Sequence, residues 1–426
     1  MNLDKYIAEN YQSNSTWFTE EVKQPFNVTR VSKVLNNKNY LKGLHAILSK
    51  PDVIHKGVQF NTSKMILQTI KTIINFHATY VLGRPVSLVG TADMVSRYNQ
   101  VYRKGGFHKS NFNIIDNVLK FGDCFEYVYY ESGKIKSRLI DSADGYPVYS
   151  DSGEYIGFIE YYQDVVSNIE SYTIFSDLNV SVWTNESGTL HKVNEYPNLS
   201  GLPVHYKNTD EMFGVSILDD IRPIMDKIEI VINRLDDSVY TLSMNPIGVL
   251  SGQSLSGSAE SEGIGFVLSL EDGGQFQWAV ANLDSESCKL LLNTLFNQLW
   301  TIAQVPSIVM GQSNVANVSE VSLKLLFSLA HNKGLENTIY LRDGFNDRHE
   351  GIEKILNRQG ITFNELDYID VEFTLNRPTD DAEIVDMLSK QFADGAISLE
   401  TYLDKSPLIN DVGQELERLG KGIVVI

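Results

Sequence analysis

The stretch GVSILDDIRPIMDKIEIVINRLDDSVYTLSM, residues 214–244, decides the fold that the sequence predicts. Its apolar residues recur every three or four positions for about eight turns, which is the spacing of one face of an α-helix. At 1.5 Å per residue the pattern predicts a helix roughly 45 Å long. Pro223 is tolerated only near the start of that helix or as a kink.

The polar face of this helix is predominantly acidic. Its charged side chains are Asp219, Asp220, Asp226, Glu229, Asp236 and Asp237 against Arg222, Lys227 and Arg234. Adjacent helical residues point about 100° apart, so neither acidic pair forms a ready two-carboxylate site. We interpret these groups, and the pair Asp380-Asp381, as solvated or helix-start carboxylates, with a metal or acid–base role as the alternative.

A second helix is predicted at 284–304, and a helical pattern follows at 319–359. Leu292, Leu295 and Leu299 share one face of the earlier helix with Ile302, and Asp284 or Ser285 fits its N-cap. Between the two helices lies VPSIVMGQSNVANVSEVSLKLLF, residues 305–327, in which the central Gly311–Asn317 run has no charge and no aromatic ring. The sequence therefore predicts a neutral, polar loop joining two strong helices.

Glycines interrupt the helical pattern at 319–359. Gly334, Gly344 and Gly351 predict bends or breaks in it.

The remainder of the chain mixes helices with short strands. Helices are predicted at 30–56, 62–82 and 110–121, a strand at 368–375, and two or three short helices after a domain boundary at 376–381. His77 lies on an apolar helix face, which favours a packed core histidine over a metal ligand.

Residues 123–206 predict an antiparallel meander, punctuated by three Ser-Gly turns at 132–133, 152–153 and 187–188. Its many tyrosines fit a packed or half-exposed sheet better than a sugar-binding platform. Residues 245–282 hold two further strand-like runs around a Ser/Gly-rich segment. The predicted class is α+β, with two or more domains.

Composition limits the possible functions. The formal net charge is −18, and no basic face is obvious because the basic residues are scattered. We interpret the one local group, Arg97, Arg103, Lys104 and Lys109, as solvated surface. A tight nucleic-acid binder would need such a face. No apolar run is long enough to span a bilayer, and the start MNLDKYIAENYQ predicts no signal peptide. Cys124 and Cys288 predict reduced structural thiols.

No catalytic, metal or cofactor motif is convincing. The sequence has no G-x-x-x-x-G-K-[ST] loop and no H-E-x-x-H, and the run from Gly252 to Ser256 lacks the closing glycine of a nucleophile elbow. We therefore predict a protein that is not an enzyme and that uses no cofactor and no metal.

The order of these elements resembles the portal proteins of tailed double-stranded-DNA bacteriophages, of the long-tailed siphophage type. The stretches that carry the resemblance are FHATYVLGRPV (76–86), NIIDNVLKFGDCFEYVYY (113–130), FGVSILDDIRPIMDKIEIVINRLDDS (213–238) and VPSIVMGQSNVANVSEVSLKLLF (305–327). The resemblance covers essentially the whole chain. The small excursion at 245–282 departs from the family by being compact.

The resemblance implies a portal fold with the following parts. They are a wing of N-terminal helices and β-meander at 1–213, stem helices at 214–244 and 284–304, a small clip at 245–283, a tunnel loop at 305–318, a wing long helix and strand at 319–377, and a helical crown at 378–426.

It also implies a ring of about twelve subunits at one capsid vertex. Double-stranded DNA would pass through this head–tail connector during packaging and ejection without being tightly bound. The implied partners are further copies of the chain, the large subunit of terminase, a head–tail adaptor, and the major capsid and scaffolding proteins, with no membrane. Assembly would take place in the host bacterial cytoplasm, and the final location would be the virion.

The resemblance assigns three sets of candidate residues. The DNA-facing tunnel loop comprises Gly311, Gln312, Ser313, Asn314, Val315, Ala316 and Asn317. The acidic channel face of the stem comprises Asp219, Asp226, Glu229, Asp236 and Asp237. The clip contacts for an adaptor or a neighbouring subunit are Phe276 and Trp278.

Two other classes stay open at this stage. Another neck or tail protein of the virion would also be acidic and free of catalytic motifs. A hydrolase acting on sugars or nucleic acid would use the tyrosine-rich sheet as its binding platform.

Overall fold

The computed structural model describes residues 2–55, 58–239, 247–251, 275–279, 285–306, 324–376, 381–409 and 412–422. The helices, in chain order, are α1 (Leu3–Tyr11), α2 (Phe18–Glu21), α3 (Pro25–Leu41), α4 (Thr69–Leu82), α5 (Ala92–Gly105), α6 (Phe107–Phe121), α7 (Ile217–Ser238), α8 (Ser285–Ile302), α9 (Ser328–Arg358), α10 (Asp381–Ala393), α11 (Leu399–Lys405) and α12 (Val412–Gly422).

The strands complete the α+β architecture that the sequence predicts. In chain order they are β1 (Val53–His55), β2 (Val58–Phe60), β3 (Ser87–Gly90), β4 (Asp123–Glu131), β5 (Lys134–Ile140), β6 (Gly145–Tyr149), β7 (Tyr155–Gln163), β8 (Glu170–Phe175), β9 (Asn179–Thr184), β10 (His191–Pro197), β11 (Val204–Lys207), β12 (Ile247–Ser251), β13 (Gln275–Ala279) and β14 (Ile369–Glu372).

The predicted meander is antiparallel throughout but forms two sheets. One has the order β11-β4-β5 and the other the order β10-β9-β8-β7-β6. All three Ser-Gly turns are confirmed, because Gly133, Gly153 and Gly188 have φ values of 79°, 80° and 92°. A side chain is disfavoured in this left-handed region, so glycine suits each turn.

The two predicted N-terminal helices have different bounds. The helix predicted at 30–56 is α3, which begins at Pro25 and ends at Leu41, with one 3₁₀ turn following at Ala46–Ser49. The helix predicted at 62–82 begins only at Thr69. Its missing first turns are extended, because their backbone N–H groups bond to side chains of α7.

The long helix α9 is continuous through Gly334, Gly344 and Gly351, so the predicted breaks do not occur at these glycines. Gly344 lies under the ring of Tyr206, and a Cβ there would meet the ring at 2.4 Å. Gly334 lies similarly against Tyr80, at 3.0 Å. These glycines allow close approach of neighbouring elements to the helix.

One core joins the helices around the sheets. Helices α4, α6, α7 and α9 all contribute fully buried apolar side chains to it, and the last turns of α8 join it through Leu299 and Trp300. A second core packs α1 and α2 against the five-stranded sheet. The C-terminal segment forms the short helices α10, α11 and α12, as predicted.

Candidate functional site

The two predicted stem helices pack along each other as α7 and α8. Ser216 caps α7, its hydroxyl accepting from the N–H of Leu218 at 3.1 Å, and Pro223 lies inside the second turn as the sequence allows. The apolar stripe of α7 faces the core, with Leu218, Ile221 and Ile228 fully buried. On α8, Leu299 is fully buried, whereas Ile302, which is predicted on the same face, is 45% exposed.

The acidic residues of α7 divide into two groups. Asp219 and Asp236 are exposed. Asp226 accepts a hydrogen bond from the Tyr40 hydroxyl at 2.9 Å. Glu229 is 1% exposed and Asp237 is half-buried, and both bond inside the subunit. The structure thus corrects the expected place of Glu229 on an open acidic channel face.

The exposed charge on α7 is consequently small. The exposed charged side chains are Asp219, Asp220, Asp236, Lys227 and Arg234, whereas Arg222, Asp226 and Asp237 are half-buried. Three carboxylates against two basic groups leave one net negative charge. The sequence pattern alone counted every polar position as solvent-facing and therefore predicted a more acidic surface.

Residues 63–67 form an extended strap on α7. The N–H groups of Ser63, Met65 and Leu67 donate to side-chain oxygens of α7 at 2.7, 2.6 and 2.8 Å. The acceptors, in the reverse order along the chain, are Asp237, Asn233 and Glu229.

The strap fits because two periodicities match. Four helical residues advance about 6.0 Å, and two extended residues advance about 6.6 Å. Asn233 also donates to the carbonyl of Met65 at 2.8 Å, so one amide pairs with both backbone groups of that residue. No sequence motif predicted the strap. The signal available in the sequence was the four-residue spacing of Glu229, Asn233 and Asp237.

His45 contacts the same carboxylate oxygen of Glu229 that accepts from the strap residue Leu67. Its Nδ1 lies 2.7 Å from Oε1 of Glu229, and its Nε2 lies 3.1 Å from the carbonyl oxygen of Tyr40. Its ring stacks on that of Tyr40 at 3.8 Å. The carboxylate of Glu229 is therefore satisfied within the subunit, which its burial requires.

Helix α4 holds the chain on both sides of the candidate tunnel loop. On the incoming side, the carbonyl of Ala303 accepts from Nε2 of His77 at 2.7 Å. On the outgoing side, the buried ring of Phe327 lies 6.5 Å from that of Phe76 and 6.4 Å from that of Tyr80. The loop residues Gly311–Asn317 themselves lie outside the described residues.

His77 is confirmed as a packed core histidine. It is 0% exposed, and burial lowers the pKa of its imidazole to about 4, against a smaller opposing effect from the Ala303 carbonyl. The ring is thus neutral at physiological pH, with the hydrogen on Nε2 directed at the carbonyl.

The clip strands pair within one subunit. Strands β12 and β13 are antiparallel, with Leu250 opposite Phe276 and Gly248 opposite Trp278. The edge that these two strands share is therefore paired within the subunit, and the expected contacts with an adaptor or a neighbouring subunit stay a prediction. The side chains of Phe276 and Trp278 lie outside the described residues.

A buried ion pair fixes α9 to the three-stranded sheet. The Arg348 guanidinium is 0% exposed, and its Nε donates to Oε2 of Glu126 at 2.7 Å. The same oxygen accepts from the Tyr206 hydroxyl at 2.7 Å, and Asn111 accepts from the guanidinium at 2.5 Å. Breaking such a pair would leave a charge in the core, so it orients α9 strongly.

Apolar side chains are exposed along the start of α9. Leu329, Leu335 and Ile339 are 48%, 46% and 63% exposed on α9, and Leu325, just before the helix, is 70% exposed. On the stem, Leu290 is 70% exposed. Exposed apolar stripes of this length are typical of surfaces that another chain covers.

The described residues contain no cluster of three metal-ligating side chains and no helix that could cross a membrane. Cys124 and Cys288 are free thiols, as predicted, and burial raises the pKa of the Cys124 thiol. Tyr127, Tyr146 and Tyr172 are buried, which supports packing as the role of those tyrosines.

Comparison with solved structures supports the fold. A chain in the neck of an empty GTA particle, computed with C6 symmetry, is similar at 12% identity with a TM-score of 0.50. The match covers 78% of this chain and 87% of that one. A chain in the neck of a native GTA particle, computed with C12 symmetry, is similar at 12% identity over 81% and 89% of the two chains, with a TM-score of 0.48.

No curated protein shows a significant match to the chain. The sequence does match the family described as "Phage portal protein, SPP1 Gp6-like", over residues 23–422. This match spans every element from α3 to α12, and the α+β fold described above agrees with it. The chain therefore belongs to the SPP1 Gp6-like family of phage portal proteins.

Proposed function

We propose that the chain assembles into a ring of about twelve copies at one vertex of a virus capsid. Double-stranded DNA passes through the ring during packaging and ejection, driven by a separate terminase. The ring also contacts a head–tail adaptor and the capsid and scaffolding proteins, and it assembles in the host cytoplasm. Family membership over residues 23–422 carries this proposal and favours it over a neck protein or a hydrolase.

The exposed apolar stripe on α9 supports assembly. A cyclic ring uses a heterologous interface, in which one face of each subunit covers a different face of the next. The stripe at Leu325, Leu329, Leu335 and Ile339 is the surface that we assign to such an interface. Leu290 on the stem would be covered by a neighbouring stem helix.

The weak net charge of the exposed α7 surface suits the passage of DNA. A strongly basic wall would release counterions at many phosphates and would hold the duplex in one register. Among the residues predicted to line the channel, we keep Asp219 and Asp236, which are exposed, and not the buried Glu229. We propose no catalytic role for the chain.

We further propose that Gln312–Asn317 lie nearest the DNA as a tunnel loop. Helix α4 anchors the chain on both sides of this segment, through Ala303 before it and Phe327 after it. Neutral Ser and Asn side chains make weak contacts to phosphates, so the duplex can slide past them. The competing interpretation is an ordinary surface connection between two helices.

Packaging in vitro tests the tunnel loop. The double variant Ser313→Lys/Asn314→Lys should assemble rings normally but slow or stall packaging, because lysines grip the phosphates. Under the surface-connection interpretation the same change costs only a few tenths of a kcal/mol of stability. Packaging at the normal rate and to full genome length by the double variant would refute the assignment.

A further inference from the structure

Four lysines that are distant in the sequence converge on one cleft. Lys38 and Lys42 come from the end of α3 and the residue after it, Lys71 from α4, and Lys120 from α6. The cleft has a volume of about 420 Å³, and Asp116 is the one carboxylate among its lining residues. The sequence showed no basic face because these lysines are spread over residues 38–120 and come together only in the folded chain.

Carboxylates neutralise only half of these lysines. Lys120 forms an ion pair with Asp116, and Lys38 forms one with Asp141 beside the cleft. Lys42 and Lys71 are exposed and make no ion pair within 4.0 Å in the described part of the chain. Four lysines against Asp116 and Asp141 leave two net positive charges in a chain of net charge −18.

The floor of the cleft is apolar. Leu41, Ile74 and Phe121 line the cleft with the lysines; Ile74 is 1% exposed, so Leu41 and Phe121, which are half-buried, present the apolar surface. The ammonium of Lys38 lies 5.8 Å from the centre of the Phe121 ring. An apolar floor with a cationic rim complements an apolar side chain that is flanked by negative charges.

We propose that this cleft binds an acidic peptide segment of a partner protein, with one bulky apolar residue on Leu41 and Phe121 and flanking carboxylates on Lys42 and Lys71. A nucleic-acid backbone fits less well, because its phosphates find no arginine fork and its sugars gain nothing from an apolar floor. The negative charge of the whole chain also repels a long polyanion more than a short peptide. The site does not require ring assembly.

The test is fluorescence anisotropy with a labelled seven-residue peptide that has three acidic residues on each side of a central phenylalanine. The full-length protein should bind this probe, and binding should weaken as salt rises, since exposed charge pairs are screened. The double variant Lys42→Glu/Lys71→Glu should bind the probe about tenfold more weakly, because it reverses the two charges that lack internal partners. A probe with glycine in place of phenylalanine should also lose most of its affinity.

Two controls separate this site from general charge effects. The matched variant Lys23→Glu/Lys134→Glu makes the same change in net charge at exposed lysines outside the cleft, and it should bind normally. Labelled single-stranded and duplex oligonucleotides are the competing ligands. The proposal is overturned if the peptide does not bind, if both double variants lose affinity equally, or if an oligonucleotide binds the cleft more tightly than the peptide does.

Discussion

The glycine at position 344 provides a sharp test of how α9 is held. In a helix interior, Gly→Ala normally stabilises by about 1 kcal/mol, because glycine loses more backbone entropy. At Gly344, however, the new Cβ would meet Cδ1 and Cε1 of Tyr206 at 2.4 and 2.5 Å. The Tyr206 ring cannot easily withdraw, because its hydroxyl donates to Glu126, which also holds Arg348.

The gain in helix propensity and the cost of overpacking have opposite signs. The measured change in the free energy of unfolding therefore shows which of the two dominates. Overpacking of a tight core typically costs about 1–3 kcal/mol, and disturbing a buried ion pair adds to that cost. We therefore expect Gly344→Ala to lower the free energy of unfolding by about 2 kcal/mol, after subtracting the gain in helix propensity. The assay is urea unfolding followed by circular dichroism at one protein concentration, since assembly would shift apparent stability.

Control variants calibrate the result. Gly420→Ala in α12 adds a Cβ with nothing within 4 Å and should stabilise that helix. The Cβ of Gly351→Ala would meet the Ser200 carbonyl oxygen at 3.3 Å, so its free energy of unfolding should lie between those of Gly344→Ala and Gly420→Ala. The reasoning fails if Gly344→Ala is as stable as the wild type or more stable. That outcome would mean that the contact between α9 and Tyr206 does not require a glycine.

Three further predictions concern the candidate site. Acidification from pH 7 to 5.5 should destabilise the protein by about 1.2 kcal/mol through His77, because its folded pKa of about 4 lies below the unfolded value of 6.5 and only the unfolded chain gains the proton. His77→Gln should lack that part of the loss in urea titrations, and an unchanged pH dependence would contradict the assignment. Asn233→Leu should raise hydrogen-exchange rates at Met65, whose N–H and carbonyl both lose their partner, and protection equal to the wild type would mean that the strap does not depend on that amide. Trp278→Ala should impair ring formation or adaptor docking while the subunit stays folded, and normal rings with normal docking would exclude Trp278 as a contact.

The sequence predicted the helices α7 and α8 and the class of the fold. Amphipathic periodicity is a local property, so α7, α8 and the strands between the Ser-Gly turns were accessible to it. The three short C-terminal helices were predicted for the same reason. Helix α5 was not predicted; its sequence, ADMVSRYNQVYRKG, is mostly polar, and its few buried side chains such as Tyr98 gave a weak apolar signal.

The remaining differences come from long-range contacts. Residues 63–67 have a helical pattern, yet their backbone bonds to α7, some 160 to 175 positions away. From the sequence, the glycines of α9 predicted bends or breaks. Their contacts with Tyr206 and Tyr80 could not be predicted, because these tyrosines are remote in the sequence. The burial of Glu229 and the convergence of Lys42 and Lys71 likewise depend on which helices become neighbours in space.

The most direct test of the central claim is electron microscopy of the purified full-length chain. The account predicts ring-shaped particles with a central hole wide enough for a DNA duplex and with about twelvefold rotational symmetry in class averages. Light scattering of the same sample should give a mass near twelve times 47.9 kDa. Monomers of 47.9 kDa across a range of protein and salt concentrations, with no rings in the images, would contradict it.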